Sequence, residues 1–206
     1  IKKPNQHFNT LLYTGNDSSD RDITGVGFQP DFLWIKNRSQ TDWHMLQDAV
    51  RGANKVLYSN TTDGEDTDNS NGHVNSFLTD GFNVDAGASG NVNENNENYV
   101  AWNWKAGGSA SSNSDGSITS SVSVNASAGF SIAGWTGTNG NGTVGHGLGV
   151  APKVVIVRRR DSASDWAVYH GEIGNTKRLV LNSTAAESSA SANWWNNTSP
   201  TSTTFS

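Results

Sequence analysis

The sequence predicts an all-β protein: an antiparallel β-sandwich of the jelly-roll or concanavalin-like kind, built as two tandem related units. Three observations lead there. Apolar residues make up 33% of the 206 positions and charged residues 16%; the apolar ones come in short alternating runs cut by Gly, Asn, Ser and Thr, as half-buried strands between surface turns require. The chain has 22 Gly, 8 Trp and a single Met, and its helix formers are too scattered for a long amphipathic helix. Finally, the stretch GVGFQPDFLWIKNR at 25–38 returns as GLGVAPKVVIVRRR at 147–160, so that Pro30 and Pro152 stand 122 residues apart.

Each copy of that stretch reads as a glycine turn feeding a buried strand. Glycine permits positive φ, proline biases its neighbour towards extended geometry, and the apolar run that follows is short and rich in β-branched or aromatic residues. No Gly-Lys-Ser/Thr follows Gly145-His146-Gly147-Leu148-Gly149 and no helical pattern opens after it, so the loop reads as a hairpin connection rather than a phosphate cradle.

Taken in order, the first unit, 1–107, predicts strands at 11–13, 32–36, 43–47, 56–58, 74–78, 81–84 and 99–104, with a polar loop over 15–22 and an acidic one over 63–72. The segment 108–116 has the composition of a flexible linker. The second unit, 117–206, predicts strands at 118–124, 130–137 and 154–157. At the same shift Gly174 falls on Gly52, Lys177 on Lys55, Leu179 on Leu57, Asn182 on Asn60 and Glu187 on Glu65. Matches spread this far at one offset indicate duplication. The counterpart of the 99–104 strand would lie past Ser206, so the second unit is expected to lack its closing strand, and the chain reads as a fragment of something longer.

The net charge of −5 speaks against nucleic acid, whose phosphates need a basic surface. Arg158-Arg159-Arg160 reads as a solvated strand end. With no cysteine, disulfides, thiolate catalysis and Cys-ligated zinc are excluded. No run of about 18 apolar residues suggests a membrane span.

The motifs FNTLLYTG, GVGFQPDFLWIKNRS, DGFNV, YVAWNWKAGG, DGSITSSVSVN, TVGHGLGVAPK and NSTAAE resemble a family of repeat domains in tail-fibre-like virion proteins of marine phages. The resemblance implies concanavalin-like sandwiches in fibres that reach the host surface, with other fibre proteins and a host glycan or receptor as partners, and a trimeric homo-oligomer. It carries over no catalytic residue.

Candidate site residues follow from side-chain chemistry. Tryptophan offers a large flat face for the apolar side of a sugar ring. Trp34, Trp102 and Trp104 sit in apolar strands and read as core, whereas Trp43, Trp166, Trp194 and Trp195 are candidates for a carbohydrate site. Trp166 falls on His44 in the repeat and Trp43 on Asp165, placing a Trp, an acid and a polar strand end together in each unit. Trp194 and Trp195 are adjacent, so on a strand one would face away from the core. The acidic loop offers Asp63, Asp66, Asp68 and Asn69 as oxygen ligands for calcium, at a spacing that departs from the EF-hand. For catalysis, His44 with Asp48 and His170 with Glu172 are the near pairs, Asp42 and Asp48 are candidate glycosidase carboxylates, and no GxSxG or HExxH segment occurs. The reading is a non-enzymatic host-attachment or spacer module of a virion fibre. A purely structural virion domain and a polysaccharide depolymerase are its alternatives.

Overall fold

The structure, a computed structural model, describes residues 3–68, 70–88, 90–189 and 192–206. It is all-β. In chain order the strands are β1 Phe8–Thr14, β2 Arg21–Thr24, β3 Phe32–Asn37, β4 Met45–Asp48, β5 Leu57–Tyr58, β6 His73–Leu78, β7 Gly81–Asp85 and β8 Asn98–Trp104. They continue with β9 Ser111–Asn113, β10 Ser120–Asn125, β11 Phe130–Trp135, β12 Val144–Gly145, β13 Val154–Val157, β14 Ala167–His170, β15 Lys177–Val180 and β16 Ser188–Ser189, then a one-turn helix α1 Ala192–Trp195 and a last strand β17 Thr204–Phe205. No described helix is long and apolar enough to cross a membrane.

The first half closes as a sandwich. One sheet runs β1-β8-β3-β4-β5 and the other β2-β7-β6, with all neighbouring strands antiparallel. Strand alternation sends Leu33, Ile35, Tyr99 and Ala101 inward from the first sheet, where they meet Ile23, Phe82, Val84 and Val74 of the second. Tyr13 and Tyr99 stack in this core at 5.1 Å between ring centroids. The buried Gln47 side chain joins the sheets: its oxygen accepts from Val74 N–H at 2.7 Å and its amide donates to Val74 O at 3.2 Å. The strand β2 falls at the edge of a stretch whose composition reads as loop, because Ile23 is its single apolar residue.

The glycine turn behaves as its sequence requires. Gly25, Gly27, Gly147 and Gly149 all take positive φ, between 70° and 96°. In the first copy the amides of Gly25 and Gly27 donate to the carboxylate of Asp80, at 3.3 and 2.5 Å. The anion held by this loop is thus the protein's own.

A shift of 122 residues carries β4 onto β14, and the starts of β1 and β3 onto those of β11 and β13. The strands recur at the repeat spacing but are joined differently. Whereas β3 lies between β4 and β8, β13 pairs with β14 and, among the described residues, with nothing on its other edge. Similarly, β1 pairs with β8 but β11 with β10.

The segment 108–116, linker-like in composition, contains β9, which pairs with β10. Just before it, Asp31 accepts from the amides of Ala106 and Gly108 at 2.8 and 3.1 Å, and Ser123 Oγ accepts from Gly107 N–H at 2.9 Å. The join between the halves is therefore fastened to both. Trp34, Trp102 and Trp104 are not in the central core. They point out of the opposite face of the first sheet, half-buried, with Trp34 edge-on to Trp102 at 6.1 Å. The second half covers part of this face. Phe130 lies 6.0 Å from Phe32 and 6.2 Å from Trp104, and Trp166 packs with Leu46, Leu57, Phe32 and Trp34.

Trp166 is buried, and its indole N–H donates to Tyr58 O at 2.8 Å. Beside it Arg160 forks onto Glu65 at 2.7 and 2.8 Å, Glu65 N–H donates to Arg160 O, and Ser164 N–H donates to Thr62 O. Burial pushes the Glu65 carboxyl up, but hydrogen bonds from Arg160 and Arg51 outweigh it and leave the group below the usual carboxylate range. Replacing Trp166 by Ala should lower the unfolding free energy by about 3 kcal/mol, the usual cost of a large buried aromatic. Trp166→Phe, which keeps a ring and loses the hydrogen bond, should cost about 1 kcal/mol. Urea denaturation followed by circular dichroism checks both, and equal costs would assign the whole effect to the hydrogen bond.

Candidate functional site

The sequence candidates separate into two places. Trp166 belongs to the contact between the halves just described. Trp43 is 40% exposed, with its ring 4.8 Å from that of Tyr58, and His44 is half-buried against Trp34. Burial, with Lys36 nearby, pushes the His44 ring below the ordinary histidine value. His44 and Asp165 thus do not join one site through the repeat.

Asp165, Trp194 and Trp195 do come together. They line a cleft of about 340 Å³ whose walls also include Trp135, Asn139, Asn141 and Arg159, a volume within the usual range for small-ligand sites. The adjacent tryptophans lie on the one-turn helix α1 and not on a strand. Successive residues there point about 100° apart, so both reach the same cleft. Trp195 is the buried one, edge-on to Tyr169 at 5.8 Å and donating its indole N–H to Lys177 O at 3.1 Å. Trp194 is half-buried, with the Arg178 guanidinium 3.8 Å from its ring centroid, a cation–π contact that fixes the ring. Opposite, Trp135 is half-buried and held edge-on by Phe205 at 5.5 Å. Two loops frame the mouth and are tied together where Asn141 Nδ2 donates to Asn196 Oδ1 at 2.8 Å. Asp165 accepts from Asn182 Nδ2 at 3.1 Å.

Trp135 is the member that its sequence setting hides, since it ends an alternating strand in the manner of a core residue. The repeat holds the signal. Trp135, Val157 and Ala167 fall on Tyr13, Ile35 and Met45, all three part of or packed on the first core. Tyr13 is sealed by Tyr99 of β8; where, among the described residues, no such strand is paired, the same layer opens as the cleft.

The acidic loop is internally committed. Asp66 accepts from Tyr58 O–H at 2.6 Å and from Asp68 N–H at 3.0 Å, and Asp68 accepts from both the amide and hydroxyl of Ser70 at 2.9 Å. Asn69 lies outside the described residues. Among the described residues Asp63, Asp66 and Asp68 do not form a metal-holding group, nor do any other three His, Cys, Asp or Glu side chains.

One family model runs through both halves, matching residues 3–206. The chain belongs to the DUF7483 family, a domain of unknown function. No curated protein and no solved structure matches it. The internal repeat therefore lies within a single family unit, and the cleft between Trp135 and Trp194 is a feature of its second half.

His146, in the second glycine turn, anchors the segment that brings Phe205 behind Trp135. Its Nδ1 accepts from Leu148 N–H at 3.1 Å, which leaves the proton on Nε2, 3.3 Å from Thr201 O. Burial pushes this ring below 6.5. The folded imidazole is then less basic than the unfolded one, so its stabilising contribution is complete above about pH 6.5 and declines as acid protonates the unfolded chain first. The urea midpoint should fall between pH 7.5 and pH 5.5, with His44 acting in the same direction. His146→Gln should flatten that slope, and an unaltered slope in the variant would rule out His146 as its source.

Proposed function

We propose that the chain is a non-enzymatic glycan-binding module of a phage tail fibre, carried on the virion to the host surface, with the cleft between Trp135 and Trp194 as its site. The observation that carries this reading is the composition of the cleft: fixed aromatic faces with Asn, Asp and Arg side chains between them. A pyranose presents an apolar face for the indole rings and a rim of hydroxyls for Asn139, Asn141 and Asp165. Because Trp194 and Trp135 are held by Arg178 and Phe205, little side-chain entropy is lost on binding. Asp165 is the one carboxylate among the described lining side chains, whereas glycoside hydrolysis ordinarily needs two flanking the bond. This favours holding a sugar over cleaving it.

The motif resemblance supplies the setting, a fibre whose partners are a host glycan or receptor and other fibre proteins, in a homo-oligomer such as a trimer. A glycan array read out by binding, followed by titration of tryptophan fluorescence with the retained sugar, tests the proposal. Trp135→Ala and Trp194→Ala should each weaken binding about tenfold or more, as truncation of a central aromatic contact does. Asp165→Asn should weaken it less. A chain that retains no glycan, or variants that bind as well as the parent, would leave a purely structural virion domain. Release of reducing ends from host polysaccharide would instead establish a depolymerase.

A further inference from the structure

The contact between the halves has two unlike sides, and the repeat places a second, only partly covered version of each side elsewhere on the molecule. On the docking side is the β13–β14 loop, 158–166, which gives Arg160 to Glu65, Ser164 N–H to Thr62 O and the indole of Trp166 to Tyr58 O. On the receiving side are the 57–65 segment and the outward aromatics Phe32 and Trp34.

Carried back by the repeat, the docking loop is the β3–β4 loop, 36–44. There Arg38 stands for Arg160, and the pair Asp165-Trp166 recurs one residue out of step as Asp42-Trp43. This loop is held in shape from within. The buried Asn37 donates to Asp42 at 2.7 Å and accepts from the amides of Ser39 and Gln40, while Lys36 Nζ donates to Gln40 O at 2.9 Å. Yet its tip touches solvent: Arg38 is exposed and forms no ion pair among the described residues, and Trp43 presents a large exposed ring.

Carried forward, the receiving side is the 179–187 segment with the outer face of β13. Val154 and Ile156, in place of Phe32 and Trp34, are 48% and 47% exposed, and Leu181 in the 179–187 segment is exposed as well. Glu187 stands for Glu65. It pairs with Lys177 at the surface, whereas Glu65 takes both Arg51 and Arg160.

We propose that the 36–44 loop of one chain docks on the 179–187 segment and the Val154–Ile156 face of a second copy of the chain, repeating between molecules the contact that the halves make within one. Trp43 takes the place of Trp166 over the apolar face, and Arg38 pairs with Glu187 as Arg160 does with Glu65. Because the two patches differ, the contact is heterologous. It leaves a free loop at one end and a free face at the other, so copies add head to tail rather than closing by a two-fold axis.

Sedimentation velocity of the purified chain, from micromolar to about 1 mM, tests this; at the upper limit even a millimolar contact is about 40% formed. The expected result is a concentration-dependent ladder of dimers, trimers and longer oligomers, ending at a closed ring such as a trimer where the rotation between copies closes. Trp43→Ala should weaken association about thirtyfold, as loss of an interface tryptophan does. The exposed charge reversals Arg38→Glu and Glu187→Arg should each weaken it about fivefold, and Arg38→Glu combined with Glu187→Arg should restore it. Trp194→Ala, in the glycan cleft, should leave the ladder unchanged, which separates this contact from the sugar site. A single-chain mass at every concentration, closed dimers only, or association indifferent to Trp43, Arg38 and Glu187 would overturn the proposal.

Discussion

The covering of the first sheet's outward face is the constraint on which the rest of the structure depends. Strand alternation in β3 and β8 cannot place Leu33, Ile35, Tyr99 and Ala101 in the core without turning Phe32, Trp34, Trp102 and Trp104 the other way. A soluble sandwich would then display a continuous aromatic patch, which is the kind of surface that drives association. Phe130 and Trp166 answer that patch from the second half. The dependence runs both ways, because the second half's own buried cluster is small, with Ala167, Tyr169 and Trp195 at its centre, while the first half buries fourteen of its described residues in one core.

Unequal strand pairing in the two stretches that share the 122-residue spacing bears on where the cleft lies. The two copies keep the positive-φ glycines and the strand that follows, since those positions answer to backbone geometry. They differ in what is laid across that strand. In the first copy β8 pairs with both β1 and β3 and caps Tyr13 with Tyr99; in the second, Trp135 and Val157 border an open space. A layer that is core in the first stretch borders a cleft in the second.

Much of the fold was legible because alternation and turn residues are local signals. The strands at 32–37, 81–85 and 98–104 declare themselves through runs such as FLWIK and YVAWNW, and the repeat leads to β13 by analogy, whereas β14 was not read as a strand. What stayed hidden was non-local. Strand alternation identifies two faces in YVAWNW but not which one meets the opposing sheet, so Trp102 and Trp104 read as core. Ser111–Asn113 has a linker's composition and becomes β9 through pairing with β10 alone. Asp165, Trp194 and Trp195 were visible as candidates from residue type, but Trp135 was not, because its place in the cleft wall depends on which described strands pair beside it rather than on any property of its own.

The pairing of β1 with β8 has a mechanical consequence. Phe8 lies opposite Trp104 and Thr14 opposite Asn98, so the chain enters and leaves this pair at the same end. A load applied between residues 8 and 104 would meet the hydrogen bonds one rung at a time, as a zipper does, and not all together as in shear. Asn125 sits at the mouth of that zipper: its side-chain amide meets His7 Nδ1 at 3.0 Å and donates to Lys105 O at 3.2 Å. One residue of the second half thus holds both ends of the fork, and a pull along the chain reaches that clip before it reaches the first rung.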